Sequence, residues 1–427
     1  MLRLLHTADW HLGQTLHRIG REAEHGWFLD WLLDTLVEQQ IDALIIAGDV
    51  FDGQNPPTSA LTRFYRFLAE ARRRLPALTT VIIAGNHDSG ARLEAPAPLL
   101  ADRGVHLIGG LPRADDDSPA PERLLVPLTD AAGSVAAWCV AVPFPRPSEL
   151  PPPTAGDVED PDDDATLAGT RRLYALALNA ARTRTTPDQA LVIIGHCHMT
   201  GGQVSEMSER HILLGGVHAL PAEIFPEDAA YVALGHLHRP QQVGGRPHVR
   251  YSGSPLPLAL SEANYPHQVV LVTIEGVRTT KITPLLVPRA VEILRLPAGG
   301  KPGSAEETLA ALAALPDAAS ATLPPERWPY VEASILLTTP RPGVRTEIEQ
   351  AVTGKAARLL SWPISYGEAN GSGRVEDDTA LPQADLSVLS PDEVFLKAWR
   401  GARFSDPPPP ELLAAFQSLV TQAQNDS

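Results

Sequence analysis

The sequence has few of the features that would place it outside a reducing compartment or in a membrane. Only two cysteines occur among its 427 residues, Cys139 and Cys197, too few for the disulfide framework of a small secreted protein. The longest apolar runs fall well short of the roughly 20 residues that a membrane span requires. The first residues are typical of a strand and lack the basic stretch and apolar core of a secretion signal. We therefore expect a cytoplasmic protein.

Positive charge is also scarce, since the formal net charge is −16 and only four lysines occur. Proteins that bind a phosphate backbone usually carry an excess of Lys and Arg, so the net charge alone argues against a nucleic-acid ligand. The negative charge is concentrated, however, in residues 111–165, with a net charge of −9, and 366–427, with −6. Residues 166–282 carry a net charge of +2. This distribution keeps a DNA-binding function open.

The hydrophobic pattern predicts an α/β protein with a large core. Short β-branched or leucine-rich runs alternate with polar turns and helices, as in α/β folds. Apolar side chains at helical spacing between Trp27 and Leu36 predict a helix with one face on the core. Buried strands are predicted over residues 2–6, 41–47, 79–84, 190–194, 229–234 and 269–274, a hairpin over 124–128 and 135–142, and a helix over 166–184.

We predict four segments along the chain. Residues 1–284 form the large domain, and the pattern changes near Pro284. Residues 285–365 predict a small α/β module, with strands near 291–296 and 330–337 and a helix near 305–315. Residues 366–385 are rich in Gly, Asp and Ser and predict a linker. Residues 386–427 predict two amphipathic helices, which either pack on this chain's own core or, the alternative we favour, dock on a partner protein.

Five groups of polar residues each follow the end of a predicted strand. They are Asp9-x-His11, Gly48-Asp49 with Asp52, Gly85-Asn86-His87-Asp88, Gly195-His196, and Gly235-His236-x-His238. Each group alone is a weak signal, but open α/β sheets bind ligands at the carboxyl ends of their strands, so together the groups predict one site. Asp, Asn and neutral His suit Mn²⁺, Fe²⁺ or Zn²⁺, and one carboxylate can bridge two ions about 3.5 to 4 Å apart. The sequence therefore predicts a two-metal site that hydrolyses phosphate esters.

These motifs resemble the calcineurin-like metallophosphoesterase family, and the match extends to a branch of DNA nuclease subunits. The stretches that carry the resemblance are His6 to Gly13, Arg21 to His25, Gly48 to Asp52, Gly85 to Ser89, Ala233 to Arg239 and His248 to Pro255. The resemblance covers roughly residues 1–285 and implies a core of two packed mixed β-sheets flanked by helices. It also implies a double-strand 3′-to-5′ exonuclease and single-strand endonuclease that serves DNA repair, recombination and replication and is gated by an SMC-family ATPase.

The same resemblance implies a role for each site residue. One metal ion would be held by Asp9, His11, Asp49 and His238, and the other by Asp49, Asn86, His196 and His236. Asp49 would bridge the two ions, for which Mn²⁺ is expected. His87 would face the scissile phosphate, Asp88 would orient His87, and Asp52 would support the site rather than bind metal. His198 repeats the Gly-His-x-His spacing and stays open as an alternative to His196.

Further expectations concern DNA and partner proteins. By resemblance, residues 285–365 would form a capping domain that binds DNA, the helical tail would dock on the ATPase coiled coil, and two nuclease subunits would form a homodimer within a heterotetramer. Two other functions stay open, namely a phosphatase or phosphodiesterase for a small substrate and a non-catalytic scaffold. The additional module argues against the small substrate, and the complete ligand set with His87 argues against the scaffold.

Overall fold

The computed structural model describes residues 1–115, 118–153, 165–203, 219–339 and 341–367, together with Leu412 and Phe416. The predicted linker and helical tail lie almost wholly outside the described residues. The chain divides into two compact units, Met1–Val291 and Glu292–Ser427. Within the part of the chain that the structure describes, every helix is too short or too polar to span a bilayer.

The first unit is built on two six-stranded mixed sheets, which confirms the predicted fold class. Its strands are β1 (Leu2–Thr7), β2 (Thr15–Leu16), β3 (Ile19–Gly20), β4 (Ala43–Ala47), β5 (Thr79–Ile83), β6 (Val105–Ile108), β7 (Leu125–Thr129), β8 (Val135–Val142), β9 (Ala190–His196), β10 (Tyr231–Gly235), β11 (Gln241–Val243), β12 (Arg246–Tyr251), β13 (Gln268–Glu275) and β14 (Arg278–Leu286). Its helices are α1 (Glu22–Glu38), α2 (Thr58–Arg74), α3 (Gly90–Glu94), α4 (Ala97–Leu100) and α5 (Ala165–Arg184). The strands predicted for this unit are confirmed with boundaries that shift by at most two residues.

The two sheets have similar topologies. The first has the strand order β14-β13-β1-β4-β5-β6, and the second has the order β11-β12-β10-β9-β8-β7. In the first sheet β1, β4, β5 and β6 run parallel, and in the second β8, β9, β10 and β12 do. Their central strands are buried along their whole length, as expected when both faces of a parallel sheet are covered.

The sheets pack face to face, and helices cover their outer faces. One continuous apolar cluster joins Ile45 and Ile83 of the first sheet to Ile193 and Val232 of the second. A second cluster packs α1 and α2 on the outer face of the first sheet. Trp10 lies at its centre, and its ring meets the edges of neighbouring aromatic rings, those of Phe28 at 5.6 Å and Phe67 at 5.4 Å among them. The loops after β1 and β4 are thus anchored to a rigid core.

The second unit is a small α/β module with its own core. It contains β15 (Ile293–Leu296), α6 (Ala305–Ala313), β16 (Tyr330–Ala333), β17 (Ile335–Leu337), α7 (Val344–Val352), β18 (Arg358–Ser361) and β19 (Ile364–Tyr366). Strands β15, β16 and β18 form one parallel sheet, and β17 pairs with β19 in another. A capping box begins α6, because Ser304 Oγ accepts from the Glu307 amide and the Glu307 carboxylate accepts from the Ser304 amide.

Two sequence-based boundaries differ from the structure. The single strand predicted over 330–337 is wrong, because the backbone changes partner in its middle. The Ser334 amide donates to Leu296 O, whereas the next amide, of Ile335, donates to Pro363 O, which separates β16 from β17. In the first unit, β14 continues past the predicted domain end at 284 and pairs with β13 as far as Leu286.

Candidate metal centre

The candidate centre lies where strand ends of the two sheets of the first unit meet. Two hydrogen bonds join the sheets there. The His236 amide, after β10, donates to Asp9 Oδ1 at 2.9 Å, and His196 Nδ1, at the end of β9, donates to the carbonyl of Ala47 at 2.8 Å. Groups that are up to 227 residues apart in sequence therefore share one buried edge.

The backbone at this edge is strained. Four non-glycine residues have positive φ angles, namely Asp9 (55°), His11 (45°), Asp49 (48°) and His236 (109°). L-residues rarely adopt this region, and each such residue costs on the order of 1 to 3 kcal/mol. Neighbouring loops hold them there, since the Asp9 amide donates to Gly48 O and the His11 amide to Asp49 O, both at 3.0 Å.

Close approach explains the glycines that precede the ligand-type residues. A Cβ atom on Gly48 would collide with the ring of His196, and one on Gly85 would collide with the carboxylate of Asp49. Gly48 also has a φ of 89°, which a side chain would oppose. Gly48 therefore allows the loops of the two sheets to come within contact distance, and Gly85 does the same for two loops of the first sheet.

A first cluster consists of Asp9, His11 and His238, whose ligand atoms all lie within 4.8 Å of one another. Asp9 Oδ2 and His11 Nε2 are buried and have no hydrogen-bond partner among the described residues. An unpaired buried polar atom costs about 1 to 3 kcal/mol. Both atoms are electron-pair donors, so a cation between them would satisfy both. The donor set therefore fits a divalent metal ion.

Carboxylates behind the first cluster orient its two imidazole rings. His11 Nδ1 donates to Asp52 Oδ1 at 3.1 Å, and His238 Nδ1 donates to Glu262 Oε1 at 2.8 Å. Each bond orients the ring with its opposite nitrogen, Nε2, toward the cluster, as in the carboxylate–histidine pairs of metal sites. Asp52 thus contacts His11 on the side of the ring that faces away from the cluster.

A second cluster consists of Asp9, Asp49 and His196, whose ligand atoms also lie within 4.8 Å of one another, so it shares Asp9 with the first. Asp49 Oδ2 lies 3.3 Å from His196 Nε2 and 3.6 Å from His11 Nε2, so this one oxygen faces histidines of both clusters. Asn86 Oδ1 lies 3.0 Å from His196 Nε2 and 3.0 Å from His236 Nδ1. The geometry suits two adjacent cations with one carboxylate between them.

Burial and opposite charge set the protonation equilibria. Burial raises the pKa of Asp9 to about 7 despite the lowering effect of nearby histidines. Burial also opposes ionisation of Asp49, but the charge and hydrogen bond of His196 prevail and hold the Asp49 pKa well below its usual range. Burial lowers the pKa of His196, yet Asp49 outweighs it and the pKa rises to about 9. A cation would stabilise the ionised form of both buried carboxylates.

His87 is oriented by Asp52 rather than by Asp88. The half-buried His87 donates from Nδ1 to the Asp52 carbonyl at 2.9 Å, which leaves its Nε2 free of that bond. The buried Asp88 carboxylate instead accepts from three backbone amides, those of Val50, Phe51 and Gly85. Asp88 therefore ties the loop after β4 to the loop after β5.

The structure separates His196 from His198. His196 belongs to the second cluster, whereas the clusters found among the described residues do not include His198. The His198 ring centroid lies 6.3 Å from that of His236, and its side chain is half-buried. The exposed Arg92 is engaged in a surface contact, since it donates to Asn55 Oδ1 at 3.0 Å.

Sequence reasoning missed Glu262, which is fully buried. It follows none of the five motifs, and its contact with His238 spans 24 residues. One signal could have found it, since Glu262 is the only charged residue in the segment 256–263. An acid in an apolar segment is expected to have a specific partner.

Two packed mixed sheets with Asp, Asn and His at adjoining strand ends define a metal-dependent phosphoesterase fold. The family model described as calcineurin-like phosphoesterase matches residues 2–240, and a model described as type 5 capsule protein repressor C-terminal domain matches residues 288–401. The fold and family imply divalent metal ions as cofactors.

Relatives narrow the class further, and three of them are named as the SbcD subunit of the nuclease SbcCD. The one from Rhodobacter capsulatus is 41% identical over 93% of this chain and 94% of its own. The one from Escherichia coli K12 is 36% identical over 67% of this chain and 68% of its own. The one from Bacillus subtilis 168 is 39% identical over 64% of this chain and 66% of its own. The chain therefore belongs to the SbcD family of calcineurin-like phosphoesterases, which confirms the predicted resemblance.

Proposed function

We propose that this chain is the nuclease subunit of an SbcCD-type complex and hydrolyses DNA phosphodiesters with two divalent metal ions. The observation that carries the proposal is the position of Asp49 Oδ2 between His11 and His196, beside the unpaired buried atoms Asp9 Oδ2 and His11 Nε2. The relatives' name supplies the substrate class, since they are called nucleases.

We assign the ligands as follows. Asp9, His11, Asp49 and His238 would hold one ion, and Asp49, Asn86, His196 and His236 the other. The mixed oxygen and nitrogen set favours an intermediate divalent ion, and we propose Mn²⁺. When bound, the ions would supply Lewis acidity and a water of lowered pKa at the phosphate.

Two contacts support a catalytic role for His87. Its amide donates to Asp49 Oδ1 at 2.9 Å, which fixes its distance from the bridging carboxylate. Its Nδ1 is held by the Asp52 carbonyl, so Nε2 would face the substrate. There the ring would stabilise charge on the phosphate or give a proton to the leaving oxygen. Asp88 would support this role through the loop rather than through the ring.

We also propose which other subunits this chain assembles with. We propose that an SbcC-like SMC-family ATPase binds the chain, that two nuclease subunits form a homodimer within the resulting heterotetramer, and that ATP gates double-strand 3′-to-5′ exonuclease activity at the nucleoid. The relatives' name, which makes each of them one subunit of SbcCD, supports a complex. The second unit would act as a DNA-binding capping domain. Light scattering of the purified chain, alone and with the ATPase, would measure the subunit numbers.

One experiment separates the candidate functions. The purified chain would be assayed with Mn²⁺ on single-stranded DNA, a chromogenic phosphate diester and a chromogenic monoester, with His87→Asn as the inactive control. The proposal expects cleavage of DNA that exceeds turnover of either small ester. Preferential turnover of a small ester would favour a phosphatase or phosphodiesterase, and no turnover of any substrate would favour a scaffold.

A further inference from the structure

We propose that Glu262 is a positioning residue for the first metal site, one that fixes the ring orientation and tautomer of His238. The inference rests on the proposed two-metal function and goes beyond it by assigning a role to a residue outside the ligand motifs. Glu262 would not touch metal or substrate. It would act through His238 by keeping the proton on Nδ1 and the lone pair on Nε2.

Both oxygens of the Glu262 carboxylate are engaged. Oε1 accepts from His238 Nδ1 at 2.8 Å, and Oε2 accepts from the Leu258 amide at 2.8 Å. Where Oε1 accepts this bond, the proton of the pair lies on Nδ1 of His238. Because each oxygen has its own partner, rotation of the carboxylate would break both bonds. The imidazole of His238 is therefore locked with Nε2 toward Asp9 and His11, the other members of its cluster.

The loop that carries Glu262 is held on several sides. The Ser254 amide donates to the His238 carbonyl at 3.0 Å, which ties the beginning of the loop to the residue that Glu262 orients. The carbonyls of Pro257 and Leu258 accept from side chains near the first motif, namely from Arg21 Nη1 at 2.7 Å and from Gln14 Nε2 at 3.0 Å. The position of the loop that carries Glu262 thus depends on contacts of the loop backbone, in addition to the two bonds of the carboxylate.

Among the clustered histidines, His238 has the most strongly buried carboxylate partner. The Asp52 side chain, which holds His11, is 42% exposed, so water competes for it. His196 is held by the backbone carbonyl of Ala47. The Glu262 side chain is 0% exposed, and in such surroundings a hydrogen bond is stronger than in water. Loss of the Glu262 carboxylate should therefore affect the site of His238 and leave that of His196 unchanged.

The test compares Mn²⁺ binding, by calorimetry on the full chain, between the unmodified protein and Glu262→Ala. Removal of an outer hydrogen-bond partner typically costs about 10- to 100-fold in metal affinity. We expect a loss of this size for one of two ions, with the other ion unchanged. Glu262→Gln keeps an acceptor for Nδ1 but loses the acceptor of the Leu258 amide, so it should recover part of the affinity. Equal weakening of both ions in Glu262→Ala would overturn the proposal.

A matched control is Gln14→Ala, which removes the side-chain bond to Leu258 O but leaves Glu262 on His238. A merely structural role for Glu262 predicts that both variants weaken Mn²⁺ binding equally, and that result would also overturn the proposal. Positioning predicts that Gln14→Ala retains at least most of the affinity.

A second readout does not depend on metal. Long-range proton–nitrogen NMR distinguishes the two tautomers of a neutral imidazole, and the His238 signal can be assigned by its loss in His238→Gln. We expect the Nδ1–H form in the unmodified protein and a mixture in Glu262→Ala, with the His196 signal unchanged as an internal reference. An unchanged His238 tautomer in Glu262→Ala would overturn the proposal. Failure of the metal function itself would show differently, as absence of Mn²⁺ binding in the unmodified protein.

Discussion

The backbone amide of His87 donates to the Oδ1 atom of Asp49 at 2.9 Å. One oxygen of the proposed bridging carboxylate thus holds the proposed catalytic histidine, while the other faces the histidines of both clusters. In the proposed assignment, metal binding and the position of His87 are coupled through the Asp49 side chain. We expect substitution of Asp49 to reduce both metal binding and turnover, and substitution of His87 to reduce turnover alone.

Asp49→Ala should abolish DNA cleavage and lower the metal content below two ions per chain. The substitution removes the oxygen that lies within 3.6 Å of His11 and 3.3 Å of His196, so both sites lose a ligand together. Elemental analysis of the purified variant measures the stoichiometry. Two fully occupied ions in Asp49→Ala would contradict the bridging assignment.

His87→Asn should retain both ions and DNA affinity but lose about 10² to 10⁴ in turnover, the usual range for one acid–base or charge-stabilising group. His87 contributes no ligand atom in our assignment, so only the chemical step is affected. Single-turnover kinetics at saturating Mn²⁺ measure this step. The matched control is His198→Asn, because His198 lies outside the clusters of the described residues. If His87→Asn retained turnover within threefold, His87 would not be catalytic.

Asp88→Ala should act mainly on stability. It leaves the buried amides of Val50, Phe51 and Gly85 without their acceptor, at about 1 to 3 kcal/mol each, so the free energy of unfolding should fall by about 3 kcal/mol or more. Urea unfolding with a chelator present measures it. Asp34→Ala is the control, since this exposed acid forms a surface ion pair with Arg74 of at most about 1 kcal/mol. A large loss of turnover at unchanged stability would instead mean that Asp88 orients His87.

The pH dependence of stability should include a contribution from His6, whose ring lies 2.9 Å from the Tyr231 hydroxyl. Burial lowers the His6 pKa from 6.5 to about 3. The folded state keeps His6 neutral while the unfolded chain takes up a proton below pH 6.5, so stability is lost as the pH falls from 6.5 toward 3. One such proton contributes a slope of about 1.4 kcal/mol per pH unit. Urea unfolding of His6→Gln, with a chelator present, should show a shallower slope by about this amount, and an equal slope would refute the assignment.

Truncation after Pro382 tests the predicted tail, which lies almost wholly outside the described residues. If its amphipathic helices dock on the ATPase, the truncated chain should still cleave single-stranded DNA with Mn²⁺ but should no longer co-purify with the ATPase. A truncated chain that co-purifies at normal stoichiometry, or one that is insoluble alone, would show that the helices belong to this chain's own core.

The sequence predicted the parts of the site that are local to a strand end. Asp9 and His11 directly follow β1, and Asn86 follows β5, so motif and topology together were sufficient to group them. The Asp52 carbonyl on His87 and the Glu262 carboxylate on His238 were not predictable, because these contacts depend on how separate loops fold. The separation of β16 from β17 at Ser334 was not predictable for a similar reason. A strand can change its hydrogen-bonding partner without any change in the apolar pattern of the sequence.

The left-handed backbone at Asp9, His11, Asp49 and His236 has a consequence for engineering. Glycine would adopt these φ angles without strain, and Asp9→Gly would also remove a buried oxygen that lacks a hydrogen bond among the described residues. That relief is opposed by the loss of Asp9 Oδ1, which accepts from the buried His236 amide, so the strain is a cost of placing the proposed ligands. A screen that rewards heat resistance alone would not maintain this strained backbone, so stabilised variants of this chain need to be selected with Mn²⁺ present and activity measured.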